Sequence, residues 1–477
     1  MFVIRWHKEN GNPKKKTIVG FEVYPKSVSD YHCPGASKNF ANYPLNPDSI
    51  EKSLIQYTYS VYWREEKDVT YNNRWKMYIN PEVGSDDGKM HWFAIINSLV
   101  IVSLLTLVVA VVFLRTLKVD ISSKKINDDS SNASLLDKSH SPSQGWRSIA
   151  QDVFIQPTWP VLLSALGGSG VQLAFTSLGV CILLTTGISG PDHRILSTAI
   201  GMFVVGGFFA GYSGVQLFKL VSYQPNQRWK AVSFLAGSLL TGFVLTVILI
   251  LNIIIWLKDS SLALPFGTIV LLIVIYVLLE IPISMIGGFI SSRLNLFTRI
   301  MKSRVPNVEP PISKAVAASR IPRQPFYNNM FISVLFSGAF PFGIIFVEML
   351  FLFKSLWVEK VSYYYMYGFL TFTTFLLFIV ILEISIITTY LRLNAGNFYN
   401  WQWKAFLNSF CSILLYLLVY TIYYLFYHMK LVDAVSVLLY LIYASLLNLL
   451  ISVACGAIGL LTSTWFVYTM YSSVKKD

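Results

Sequence analysis

From Trp92 to Tyr471 the chain is a series of long apolar runs separated by polar connections, and no other feature restricts its fold as strongly. A helix rises about 1.5 Å per residue and the hydrocarbon layer of a bilayer is about 30 Å thick, so a span needs about 20 mostly apolar residues. The runs meet that length as helices. They fall at Trp92–Leu114, Val161–Ile188, Leu196–Leu220, Ala231–Leu257, Leu262–Ile290, Met330–Phe353, Tyr364–Leu391, Ala405–Tyr427 and Ala434–Tyr471. The last run is long enough for two tightly joined spans, or for one helix kinked around Gly456 and Gly459. It holds no charged turn and counts as one. The expected fold is an α-helical polytopic membrane protein with nine transmembrane helices. Charged residues make up 13% of the chain, against about 25% in soluble domains.

The net charge of +13 has a membrane explanation, and no nucleic-acid partner is expected. Lys and Arg concentrate in loops that stay cytosolic. Connections after odd-numbered spans, together with the tail, carry twenty of them, including Arg115, Lys118, Lys219, Arg293, Arg392, Lys404, Lys475 and Lys476. The opposite loops carry five: Arg194, Lys258, Lys354, Lys360 and Lys430. This asymmetry places the tail in the cytosol and the N-terminal region in a lumen. Asn132-Ala133-Ser134 is a glycosylation sequon on the cytosolic side, so it is expected to carry no glycan.

Five segments follow from this threading. Residues 1–90 are a small lumenal β-rich region, with β-branched and aromatic residues over Thr17–Tyr24 and an alternating stretch, Ile55–Trp63, that puts Tyr57, Tyr59, Val61 and Trp63 on one face. Residues 91–114 are the first span and 115–160 a cytosolic linker. Its part Ser122–Ser143 has too little apolar surface to offset the entropy of ordering, and is expected to be disordered. Residues 161–471 hold the second to ninth spans, and 472–477 the cytosolic tail. The opening Met1–His7 is no signal peptide, because its apolar run stops after four residues. Either a signal is missing from a gene truncated upstream, which is the preferred expectation, or the first span acts as an internal anchor. Cys33, Cys181, Cys411 and Cys455 form no CxxC pair, so neither a disulfide framework nor a zinc site is indicated.

Three carboxylates lie inside spans: Glu280, Glu348 and Glu383. A charge at the bilayer centre costs about 2.5–3.5 kcal/mol, so each should face protein or water. Counting from the cytosolic span ends, Glu280 lies roughly 15 Å deep and Glu383 roughly 12 Å, so the two could meet at one level, with Glu348 nearer the lumen. They are either a cation or proton path, or carboxyls bonded to neighbouring helices. Gly207 and Gly211 have GxxxG spacing, which suits close helix packing or a groove for the spans of other proteins. Pro282 with Gly287-Gly288, and Pro341 with Gly343, are candidate helix breaks of the kind that line transporter sites. No P-loop, HExxH or GxSxG pattern is present, so no enzyme, cofactor or metal site is indicated.

Several ordered motifs resemble the nonaspanin (transmembrane nine) family. They are His91–Ser98 opening the first span, Arg115–Ile121, Gly145-Trp146-Arg147, Gly211-Tyr212 with Lys219, Arg320–Tyr327, Phe340-Pro341-Phe342-Gly343, Val347-Glu348, and Ser355-Leu356-Trp357. The end Lys475-Lys476-Asp477 is similar to the family's KxD/E signal read by the COPI coat. Such an end is an address, not an anchor, and works only in the cytosol. Two departures stand out: Asn394–Trp403 lacks the family's usual acidic residues, and residues 1–80 resemble only the second half of its ectodomain. A divergent paralogue with a shortened ectodomain is expected.

The resemblance implies a protein of the Golgi, endosome or vacuole that sorts client membrane proteins with polar or Gly-rich spans. It also implies family roles in cell adhesion, filamentous growth and copper homeostasis. The candidate groove is Glu280, Glu348, Glu383, Gly207, Gly211, Pro282 and Pro341. The alternative is a transporter or channel moving a small cation or protons through the intramembrane glutamates. Replacing Lys475 and Asp477 with Ala should move the protein out of the Golgi, seen by fluorescence microscopy of a tagged chain. Unchanged localisation would remove the address reading of the tail.

Overall fold

The computed structural model describes residues 1–8, 16–25, 59–67, 69, 71, 74, 81–129, 153–186, 195–222, 227–257, 263–294, 324–358, 367–429, 431 and 433–472. The tail residues Lys475, Lys476 and Asp477, the sequon and most of the Ser122–Ser143 linker lie outside them. Two compact units are present, Met1–Met90 and His91–Asp477.

In the first unit, strand β1 (Phe2–Lys8) lies between β2 (Lys16–Val23), to which it is antiparallel, and β3 (Val61–Glu65), to which it is parallel. β2 matches the Thr17–Tyr24 stretch to within one residue at each end, and β3 begins only at Val61 of the alternating stretch, whose residues 55–58, Tyr57 among them, lie outside the described residues; β1 is a strand that the sequence reading did not assign. A bulge between Arg5 and Trp6 shifts its register. Arg5 ties the sheet together, donating to Glu66 Oε1 at 2.6 Å and to Glu22 Oε2 at 3.1 Å. Burial alone would raise the Glu22 carboxyl, yet its bond to Arg5 holds it below its ordinary value. Val61 and Trp63, on the alternating face, are exposed.

The second unit is the helical bundle. Among the described residues, nine helices are long and apolar enough to cross a membrane: Met90–Arg115, Pro160–Thr186, Leu196–Val221, Trp229–Trp256, Phe266–Arg293, Met330–Leu356, Tyr367–Asn394, Trp401–Met429 and Ala434–Tyr471. The protein is an integral membrane protein with these as its first to ninth spans. The first helix continues past its span to Asp129, so the start of the linker is helical, not irregular. The ninth run is a single helix. Its glycines serve close contact and not a break: a Cβ on Gly459 would lie 2.1 Å from Ser409 Oγ.

The second span packs against the third, fourth, seventh and ninth, and so links two groups, spans two to five and spans six to nine. One apolar core joins Leu105 of the first span to Ile344, Phe353, Val380, Leu417 and Tyr440 of the second group. Another joins Leu163 and Leu217 of the first group to Phe406 and Leu460 of the second.

The two proline positions behave differently. Pro282 follows a π-helical turn, Tyr276–Glu280, inside the fifth span. A proline has no N–H to donate and its ring crowds the preceding turn, and the widened turn absorbs both effects. The break expected at Pro341 is not formed. Pro341 is buried within an uninterrupted helix, Met330–Phe353. One lost hydrogen bond is tolerated in a span packed on its neighbours.

Small residues set the spacing of the third, fourth and fifth spans. A Cβ on Gly211 would lie 1.9 Å from the Ser284 carbonyl oxygen, and one on Gly287 would lie 2.1 Å from that of Phe208. Gly201 has nothing within 4 Å of such a Cβ. Gly211→Ala should therefore push the fifth span away and cost about 1–3 kcal/mol, whereas Gly201→Ala should gain up to about 1 kcal/mol from helix propensity. Thermal unfolding in detergent checks both; equal effects would contradict the packing.

Candidate functional site

The glutamates marked by the sequence are all buried, and each meets a different partner. No two of them are joined by a hydrogen bond, so the shared constellation of Glu280 and Glu383 is not formed.

Glu280 closes the π-helical turn of the fifth span and is 1% exposed. Gln172 of the second span donates one amide hydrogen to Glu280 Oε1 and another to the Phe203 carbonyl of the third span at 3.0 Å. The carboxylate lies directly against Gly207, where a Cβ would stand 2.9 Å from Oε1. Gly207 thus provides the space that a buried carboxylate needs. Gly211, one turn further on, seats the fifth span at Ser284. There Ser284 Oγ donates to the Ser233 carbonyl at 2.8 Å, and Ser233 Oγ donates to the Ser284 carbonyl at 2.6 Å. The face that Gly207 and Gly211 present is occupied by the protein's own fifth span. Pro282 lies just beyond Glu280 and shapes the turn that presents it.

Glu383 of the seventh span faces the first. Thr106 Oγ1 is 2.5 Å from Glu383 Oε1 and also 2.8 Å from the Val102 carbonyl of its own helix. A hydroxyl has one proton to give. Thr106 therefore shares its one proton between Glu383 and its own helix, and ties the first span to the seventh.

Glu348 of the sixth span bonds His91 at the start of the first, with Nδ1 2.7 Å from Oε1. The His91 ring stacks between Phe351 and Phe369, at centroid distances of 4.4 and 5.1 Å. Among the described residues, polar contacts at His91 and Thr106 hold the first span to the bundle. Pro341 is on the same helix as Glu348 and touches none of these groups in a hydrogen bond.

One feature is common to Glu280 and Glu383: the second oxygen of each, Oε2, is buried without a hydrogen-bond partner. Sequence reasoning found the acids but missed Gln172, His91 and Thr106 as partners. Gln172 carried a usable signal, since an amide within an apolar run must bond another helix.

Residues 1–434 match the family described as endomembrane protein 70. Transmembrane 9 superfamily member 3 of Saccharomyces cerevisiae is 33% identical over 510 residues, which cover 99% of this chain and 71% of that protein. Member 4 of Mus musculus is 31% identical over 488 residues, covering 100% of this chain and 71% of the relative. Member 10 of Arabidopsis thaliana is 32% identical over 491 residues, covering 100% and 72%. No solved structure matches the chain.

If His91 and Glu348 are partners, their substitutions must not add. Glu348→Ala should cost about 1–3 kcal/mol, and the His91→Ala/Glu348→Ala double variant should cost less than the sum of the singles by about 0.5–3 kcal/mol. Chemical unfolding in detergent reads this, and strictly additive costs would refute the pairing.

Proposed function

The chain belongs to the endomembrane protein 70 family, and from that premise we propose that it binds the spans of other membrane proteins in Golgi and endosomal membranes and directs their sorting. Family membership supports the coarser statement, a membrane protein of the endomembrane system. In the finer reading the N-terminal unit is lumenal, and the tail with Lys475, Lys476 and Asp477 is offered to the COPI coat in the cytosol.

The observation that carries client recognition is the half-satisfied state of Glu280 and Glu383. A buried acceptor left without a donor costs about 1–3 kcal/mol. A client span bearing a Ser, Thr, Asn, Gln or His side chain supplies that donor, and polar contacts of this kind hold spans together where lipid removes the hydrophobic drive. The first span covers Glu383, and the fifth carries Glu280 against the second and third. Both turn broad apolar surfaces outward, with Phe93, Leu104 and Leu107 exposed on the first and Leu271, Val274 and Leu278 on the fifth. Movement of the first span opens Glu383, and movement of the fifth span off Gly207 and Gly211 opens Glu280.

A transport reading draws on the same oxygens, and the π-helical turn ending at Glu280 favours it, because such turns occur often at functional sites. One pair of measurements separates the two. In the sorting reading, purified protein in liposomes passes neither protons nor cations, and Glu383→Leu lowers the recovery of co-purifying membrane proteins by about fivefold, the equivalent of one interhelical hydrogen bond near 1 kcal/mol. Flux that Glu280→Gln abolishes, with recovery unchanged in Glu383→Leu, would establish transport instead.

A further inference from the structure

The connection between the seventh and eighth spans brings together two cations that client recognition does not use. Arg392 lies in the last turn of the seventh span and is 5% exposed. Lys404 lies in the first turn of the eighth and is half-buried. The chain reverses between them through Gly396, at φ 75°, and Asn400, at φ 50°. Asn397 bridges the reversal: its N–H donates to the Arg392 carbonyl at 3.1 Å, and its side-chain Oδ1 accepts from Lys404 Nζ.

Neither cation meets an acid. Arg392 Nε donates to Asn328 Oδ1 at 3.4 Å, and Nη2 is 3.9 Å from the Met330 sulfur. Lys404 Nζ donates to Asn397 Oδ1. All three acceptors are neutral, and among the described residues neither cation is in a salt bridge. Enclosing a charge without a counter-charge is costly.

The ordinary explanations for basic residues at a span end do not cover this pair. Such side chains normally extend to water, as the exposed Arg293 does at the end of the fifth span. Lys219 is enclosed, but it donates to the Ser291 and Ser292 carbonyls at 2.7 and 2.9 Å, at the negative end of the fifth span. Lys404 stands at the opposite kind of end. It lies in the first turn of a 24-residue helix, where the helix dipole is positive. No side chain caps that turn. Asn400, at the cap position, is engaged with Thr158: Thr158 N donates to Asn400 Oδ1 at 3.1 Å, and Asn400 Nδ2 donates to Thr158 Oγ1 at 3.2 Å. An enclosed guanidinium, an ammonium and an uncapped helix N-terminus therefore converge with nothing negative among them.

We propose that this cluster binds a phosphate-class anion at the membrane surface, held by Arg392, Lys404 and the N-terminus of the eighth span. A guanidinium fork matches phosphate oxygens two at a time, and helix N-termini receive phosphate through backbone N–H groups. The site is within about one helical turn of the span ends, the depth at which lipid headgroups lie. The phosphate is that of an anionic lipid headgroup or a free ion. The proposal does not depend on client recognition.

The test uses the full chain in phosphatidylcholine nanodiscs. One set is titrated with inorganic phosphate and a second contains phosphatidylinositol 4-phosphate; unfolding temperature and lipid retained in native mass spectrometry are read. The wild-type chain is expected to respond to one of them. Lys404→Gln, and Asn397→Asp, which sets an acid beside the Lys404 ammonium, should each weaken binding about tenfold or more, while Arg293→Gln leaves it unchanged. Without ligand, Lys404→Gln should be at least as stable as wild type, because it relieves an uncompensated charge; this holds the test open if Arg392 variants fail to fold. Retention of the phosphoinositide without a response to inorganic phosphate identifies a lipid site, and the reverse identifies a free-anion site. No response to either, an equal loss in Arg293→Gln, or a ligand-free Lys404→Gln chain less stable than wild type would overturn the proposal.

Discussion

Inside a hydrocarbon layer a polar side chain must find its partner within the protein, and the packing of this bundle follows from that requirement. Lipid tails are as apolar as leucine, so burying apolar surface does not bring spans together as it does in water. Polar contacts and close backbone approach take over. Gln172 joins the second, third and fifth spans by bonding both Glu280 and the Phe203 carbonyl. Ser233 and Ser284 exchange hydrogen bonds between the fourth and fifth. The first span is attached through His91 and Thr106.

These contacts are possible only where the backbones come close. Gly207 is the clearest case, because its missing side chain is the room in which the Glu280 carboxylate sits. The widened turn before Pro282 sets the carboxylate at that opening. One sequence pattern thus combines three separate signals: a GxxxG spacing, a proline and an intramembrane acid. The same requirement gives the unsatisfied oxygens of Glu280 and Glu383 their meaning, since groups that cost stability in the resting bundle are available to a partner.

Much of this was legible in the sequence. Run length alone gave the spans, and rarity marked the three glutamates. What could not be read was pairing. Depth estimates suggested that Glu280 and Glu383 meet, but helix depth says nothing about which face of which neighbour lies opposite. The spacing of Gly207 and Gly211 fitted both a groove and a packing surface, and only the position of Ser284 distinguishes them. Pro341 carried the same signal as Pro282, yet its helix runs on, because a proline's effect depends on whether packing can absorb one lost bond. Arg392 and Lys404 counted as ordinary cytosolic charge, and their enclosure depends on contacts with Asn328, Met330 and Asn397 that spacing along the chain does not reveal. β1 went unassigned because Phe2–Lys8 was weighed as a leader segment rather than as a strand.

The central claim is that the intramembrane carboxylates of the fifth and seventh spans are tie points between helices. Paired cysteines at their positions test it most directly, in a chain whose four native cysteines are replaced by serine. A short bifunctional thiol reagent, which replaces the length of the lost side chains, should in native membranes cross-link Thr106→Cys with Glu383→Cys, and Gln172→Cys with Glu280→Cys, within single chains. Cross-linking of Glu383→Cys to the lipid-facing Leu107→Cys instead, or of neither designed pair, would contradict the account.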